Sequence, residues 1–214
     1  MKESGTRRRI AGLISGRGSN LQALIDAVAA AVLPADIAVV LSNRPGARGL
    51  ARAERAGIET LVLNHRDFPD RDVFDTAVAG ALRTRGVELV CLAGFMRLVG
   101  GPLLGAFPEA ILNIHPSLLP AFPGADAPAQ AIAHGVKVSG ATVHFVTGEL
   151  DGGPIIMQSA VPVDENDTAE LLAARILSVE HRLYPQAVRA VLEGDWRVEG
   201  RRFRGSYQTP GTSR

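Results

Sequence analysis

Cysteine is nearly missing from this chain: Cys91 is the only one among 214 residues. No internal disulfide can form, which excludes the stapled secreted scaffolds and fits a reducing compartment, the cytoplasm. An excess of one charge is missing too. Lys and Arg number 23 against 22 for Asp and Glu, a formal net charge of +1. A nucleic-acid-binding surface needs a concentrated basic excess, so none is expected. No apolar stretch is long enough to span a bilayer. Residues 1–8 are basic but lack the apolar centre of a secretory signal, and are expected to form a disordered leader. Residues 206–214 are expected to form a disordered tail. No H-x-x-x-H or carboxylate-paired zinc spacing surrounds His65, His115, His134, His144 or His181, so no metal is expected. Repeats and low-complexity blocks are absent.

What is present describes an ordinary soluble globule, 46% apolar and 21% charged. A single domain over residues 9–205 is expected. Short apolar runs at residues 9–14, 37–41, 60–63 and 87–93 read as strands, and Cys91 in the last reads as buried filler. Between them lie helical patterns: one carrying Leu21, Leu24, Ile25 and Val28 with Ser19 or Asn20 as cap, one over residues 47–56, and one over 70–84. The last is expected to turn Val73, Phe74, Ala77, Ala81 and Leu82 inward. This alternation predicts an α/β, Rossmann-like doubly wound, mostly parallel sheet. Later the pattern changes. Residues 139–146 and 154–163 read as strands joined by a short Asp-Gly-Gly connection, hence an antiparallel step. Asp167 with Glu170 resembles a capping box for a long helix that Pro185 should kink or split. A small hairpin is expected around Glu199-Gly200.

Three stretches carry chemistry. In Ile111-Leu112-Asn113-Ile114-His115-Pro116, strand geometry puts Asn113 and His115 on one face, and Pro116 ends the strand just beyond them. An amide donor and an imidazole aimed at one spot suit an oxyanion, although both also serve as ordinary loop hydrogen-bonders. Glu149-Leu150-Asp151-Gly152-Gly153-Pro154 supplies a carboxylate that either forms a turn or stabilises the His115 imidazolium. Ile14-Ser15-Gly16-Arg17-Gly18-Ser19-Asn20 joins a strand to a helix. It lacks the third glycine of a dinucleotide fingerprint and the lysine of a triphosphate loop, which leaves a site for one phosphate or a plain tight turn.

Together with Leu92-Ala93-Gly94-Phe95-Met96-Arg97, these stretches resemble the folate-dependent formyltransferases, within them the branch acting on glycinamide ribonucleotide. The resemblance runs from about residue 10 to residue 194 and implies the formyltransferase fold. It implies transfer of the formyl group of 10-formyltetrahydrofolate, a co-substrate, to the ribonucleotide amine in purine synthesis, by a monomer or homodimer. Asn113, His115 and Asp151 match the family's catalytic positions. Gly18, Ser19, Asn20, Arg71 and Glu180 match its ribonucleotide contacts, although Arg71 and Glu180 also read as solvated helix charges. Met96, Arg97, Leu98 and Val99, with Asn113, match its folate site; Leu98 and Val99 taken singly read as core. The N-terminal half would hold the ribonucleotide phosphate, and the C-terminal half would bind folate and carry the chemistry. Asp126 and Ala129 depart from the histidine and basic residue that many members carry there. A hydrolase of the family would add an N-terminal regulatory domain, and a tRNA formyltransferase a C-terminal domain and a basic RNA surface. Neither is expected here. A non-catalytic ribonucleotide-binding protein would keep the glycine loop without needing the trio.

Overall fold

The computed structural model describes residues 7–205, so the leader and tail expected at residues 1–6 and 206–214 lie outside the described residues. Residue 8, assigned above to the leader, instead opens the first strand. The strands are β1 Arg8–Ile14, β2 Ala35–Ser42, β3 Thr60–Val62, β4 Leu89–Leu92, β5 Ile111–His115, β6 Val138–Phe145, β7 Ile155–Pro162, β8 Trp196–Glu199 and β9 Arg202–Gly205. They form one sheet in the order β3-β2-β1-β4-β5-β6-β7-β9-β8. Pairing is parallel from β3 through β5, then antiparallel from β5 to β6 and from β6 to β7. The terminal hairpin β8–β9 joins β7 through Ile155 and Arg202.

The helices are α1 Ser19–Ala29, α2 Leu50–Arg55, α3 Arg71–Arg83, α4 Gly101–Ala106, α5 Ala127–Ala133 and α6 Ala169–Glu193. Alternate residues of the parallel strands serve two cores. Ile10, Ile14, Val40, Cys91, Leu112 and Ile114 pack with α1 and α6 residues such as Leu21, Ile176 and Tyr184. Ala11, Leu13, Val39, Val90, Leu92 and Ile111 pack with Phe74, Val78, Leu82 and Leu103. A sheet covered on both faces explains the unbroken apolar runs. Cys91 lies fully buried, and burial pushes its thiol up to about 12, which suits filler rather than a nucleophile.

Four local expectations are corrected. Helix α1 is not capped by Ser19 or Asn20; Gly18 takes the cap position in a left-handed conformation, with no side-chain cap. A Cβ there would stand 2.7 Å from the Gly49 Cα, so the loop needs glycine for close approach as well as for φ. The inner face of α3 carries Phe74, Asp75, Val78, Ala79 and Leu82, leaving Val73 exposed. The helix is rotated from the purely apolar pattern because Asp75 finds a buried donor, the Gly100 N–H. Helix α6 is capped by Thr168, whose side chain accepts from the Leu171 N–H, while Asp167 pairs with Arg175. The same helix runs on through buried Pro185 without splitting. Tertiary packing outweighs the missing hydrogen bond there: the residue before the proline, Tyr184, reaches the Leu92 and Leu112 carbonyls at 2.9 and 3.2 Å.

Tyr184 thus ties α6 to the two strands that lead into the polar end of the sheet. Replacing it with Phe keeps the shape and removes the hydroxyl, and should lower unfolding free energy by about 1 kcal/mol in urea titrations. An unchanged midpoint would mean that these carbonyls lose nothing with the hydroxyl.

Candidate active site

Strand β5 ends at His115, as Pro116 requires, and β6 runs antiparallel beside it. The register sets Asn113 directly opposite His144 and His115 opposite Thr142. Side chains of directly opposed residues share a face, so the histidine of β6 stands beside the amide of β5. The Asn113 amide nitrogen lies 3.3 Å from His144 Nε2, and His144 Nδ1 lies 2.8 Å from the Phe145 carbonyl. A carbonyl only accepts, so Nδ1 carries a hydrogen, while Nε2 stands between the Asn113 amide and an Asp151 oxygen. His144 thereby orients the amide and leaves its second N–H available.

The connection between β6 and β7 brings in Asp151, whose side chain is only 8% exposed. One carboxylate oxygen lies 3.5 Å from His115 Nδ1 and the other 3.5 Å from His144 Nε2. The Gly124 N–H donates to it at 2.8 Å. Burial acts to raise the Asp151 carboxyl, but the hydrogen bonds from His144 and Gly124 and the charge of both histidines together hold it below the ordinary range. At its other nitrogen, His115 meets the Phe122 carbonyl at 2.9 Å. Both ring nitrogens of His115 therefore face oxygen atoms, one of the Asp151 carboxylate and one of the Phe122 carbonyl.

Backbone strain collects in these loops. Phe122, Asp126 and Asp151 all have positive φ, at 54°, 55° and 49°. For a bulky residue such as Phe122 this conformation is costly, and it aims the carbonyl at His115. The loop before it is tied to β6: Thr142 donates to the Ser117 carbonyl and accepts from the Leu119 N–H, and Gln158 bonds both Leu119 and Thr142. Asp126 and Ala129, the two departures, are exposed at the start of and within α5, and among the described residues no hydrogen bond or ion pair joins them to the trio.

At the N-terminal loop, Gly18 leaves the first N–H groups of α1 without intrahelical partners, a favourable place for an anion. Arg52 secures the loop, donating to the Arg17 carbonyl at 3.0 Å. A cleft of about 320 Å³ opens beside it, lined by Ser19, Gln22, Asp26, Arg52 and His181. Asn20 donates to Glu180 at 2.8 Å from across the molecule, and its own carbonyl oxygen is buried without a partner. Glu180 is 5% exposed; burial raises its carboxyl despite the Asn20 hydrogen bond. A residue of the last helix thus completes the N-terminal loop, so the two halves interleave.

After β4, Met96 and Leu98 are 69% and 56% exposed, which sets Leu98 outside the core. Val99 is half-buried. Arg97 lies over the Phe74 ring at 5.1 Å, its Nε buried without a partner. Arg71, the first residue of α3, has Asp72 and Gly100 as neighbours. Among the described residues, no hydrogen bond or ion pair joins it to Gly18, Ser19 or Asn20.

Residues 8–188 match the family model described as formyl transferase. The chain belongs to the formyl transferase family. Phosphoribosylglycinamide formyltransferase of Bacillus subtilis is 42% identical over 86% of this chain and 95% of its own length. The trifunctional purine biosynthetic protein adenosine-3 of chicken is 49% identical, and this chain spans 18% of its length. The crystal structure of glycinamide ribonucleotide transformylase 1 from Symbiobacterium toebii superposes with a TM-score of 0.94 at 56% identity, covering 96% of this chain and 97% of that one. The mostly parallel sheet with its antiparallel C-terminal strands is the fold of this formyl transferase family.

Reasoning from sequence missed His144, Gly124 and Arg52. His144 alone left a signal, being the one ionisable residue of its strand.

The raised carboxyl of Glu180 gives a pH test with a definite sign. Its folded value lies above the ordinary 4.5. The folded state therefore binds the proton more tightly, and that stability is lost as pH rises from about 4.5 through the folded value. Glu180→Gln is spared this loss, so its melting temperature relative to wild type should climb between pH 4 and pH 7. A flat difference across that range would show that the carboxyl is not strained by burial.

Proposed function

We propose that this chain transfers the formyl group of 10-formyltetrahydrofolate to the amine of glycinamide ribonucleotide. The convergence of Asn113 and His115 from one strand and Asp151 from a connecting loop onto one strand end carries this reading. The relatives named for this reaction support it, since the chain covers almost their whole length. Folate enters as a co-substrate and leaves as tetrahydrofolate, and no resident prosthetic group or metal is required.

The neutral amine attacks the formyl carbon, and a C–N bond forms as the carbonyl oxygen takes up negative charge. The free N–H of Asn113 and the His115 ring donate to this oxyanion. His115 reaches it by exchanging the Phe122 carbonyl, while Asp151 stays fixed by Gly124 and balances the charged ring. The intermediate collapses by breaking the bond to folate N10. A proton passes from the new ammonium to N10, through water or His115. Gly18, Ser19 and Asn20 hold the ribonucleotide at the α1 N-terminus, with Glu180 fixing Asn20 and Arg71 adding charge from α3. Met96, Arg97, Leu98 and Val99 wall the folate ring, an assignment that fits two large apolar side chains left exposed on one loop. One domain over residues 9–205 thus carries both sites, and the reaction belongs to the cytoplasm, in a monomer or homodimer.

Purified protein should release tetrahydrofolate when given both substrates. His115→Ala and Asp151→Asn should lower kcat by about a hundredfold or more while keeping the fold and the KM values. Asp151→Asn is the sharper change, because it removes the charge and little of the packing. Wild-type turnover in that variant would contradict the role given to the carboxylate.

A further inference from the structure

One buried carboxylate takes no part in the chemistry above. Asp75 sits on the inner face of α3 at 1% exposure, among Phe74, Val78 and Leu82. Burial raises its carboxyl more than the Gly100 N–H and the charges of Arg71 and Arg97 lower it. A carboxyl buried in an apolar layer costs stability unless it is hydrogen-bonded, so its partner matters.

That partner indicates its role. Asp75 accepts from the Gly100 N–H at 2.5 Å, and Gly100 closes the loop that begins with Met96. Space there is full: a Cβ on Gly100 would stand 2.8 Å from the Asp75 oxygen and 3.1 Å from Arg71 Nε. The other end of the loop is held in a matching way. The Met96 N–H donates to Ser15 Oγ at 2.8 Å, and the Ser15 N–H donates to the Gly94 carbonyl at 3.0 Å. Ser15 Oγ in turn donates to Asn43 at 2.6 Å. Between these two ties, Met96 and Leu98 have no core packing to hold them, being largely exposed. The backbone of the loop is therefore tied at its two ends, with Arg97 over Phe74 and half-buried Val99 packing between them. Both anchors stand on elements given to the ribonucleotide, Ser15 before the glycine loop and Asp75 one turn after Arg71.

We infer that Asp75 is a positioning residue: with Ser15 at the opposite end, it holds residues 96–100 in the shape that receives the folate ring. This rests on the assignment of that loop to folate. Asp75 touches no substrate and acts through the Gly100 backbone, so its loss affects binding of the donor more than the chemical step.

Three variants test this in the full-length protein. Asp75→Ala should raise the KM for 10-formyltetrahydrofolate about tenfold or more with kcat within a few-fold of wild type. Asp75→Asn keeps an oxygen that accepts from Gly100 and should recover most of the loss. Gly100→Ala has an ordinary backbone for alanine, φ −96° and ψ 179°, so its Cβ acts by displacing Asp75 and should raise the same KM. Direct calorimetric binding of tetrahydrofolate should weaken in parallel, a measurement that needs no turnover. If wild type binds tetrahydrofolate but does not formylate the ribonucleotide, the functional reading fails and the calorimetry still judges Asp75. Unchanged tetrahydrofolate affinity in folded Asp75→Ala, with only a lower melting temperature, would overturn the inference and leave Asp75 a packing residue.

Discussion

The polar end of this sheet depends on one carboxylate. Asp151 sits between His115 and His144 and also accepts the Gly124 N–H, so it joins β5, β6, the connection after β6 and the loop after β5. Each of these groups alone is poorly fixed. Two rings on adjacent strands need a common partner between them, and a glycine-containing loop needs a tie. Burial alone would raise this carboxyl, and these donors with the neighbouring histidines hold it below its ordinary range. The strained backbone of Phe122 and of Asp151 itself lies where these three contacts meet.

The topology gives this carboxylate its place. In a wholly parallel doubly wound sheet, the strand next to β5 would have left its C-terminal end beside that of β5, and the opposed pair Asn113–His144 would not exist. The antiparallel entry of β6 places the middle of one strand against the end of another. His144 can then fix the Asn113 amide, and the connection out of β6 returns with Asp151. On the other side, parallel β4 delivers the exposed Met96–Arg97–Leu98 run, and β1 delivers the free N-terminus of α1. Three consecutive elements of the sheet, β1, β4 and β5, thus open onto one edge, where loops rather than packed strands are free to bear polar groups.

Much of this was legible in the sequence because it rests on local rules. Pro116 stops β5 where the two-residue spacing of Asn113 and His115 becomes useful, and apolar runs in β1 and β4 announce a sheet covered twice. What escaped was set by partners distant in the chain. Asp75 is absent from the expected inner face of α3 because its donor, the Gly100 N–H, lies on another element. Ser19 reads as a cap, yet Gly49 presses so close to the loop that only glycine fits at the cap position. Glu180 reads either as a substrate contact or as a helix-surface charge, and its burial against Asn20 shows only in the fold. His144 gained meaning only from the register between β5 and β6, which no single strand encodes.

The trio by itself does not choose between an amine and water as acceptor; both meet the same oxyanion donors. On the function proposed above, the remainder of the site makes the choice: a phosphate held at the α1 N-terminus would fix an amine relative to the formyl carbon, and orientation of that kind supplies on the order of 7 kcal/mol. The most direct measurement follows the formyl carbon itself. With isotope-labelled 10-formyltetrahydrofolate, label should move to formylglycinamide ribonucleotide when glycinamide ribonucleotide is supplied, and turnover should nearly cease when it is withheld. Equal rates in both conditions, with the label recovered as free formate, would contradict the account.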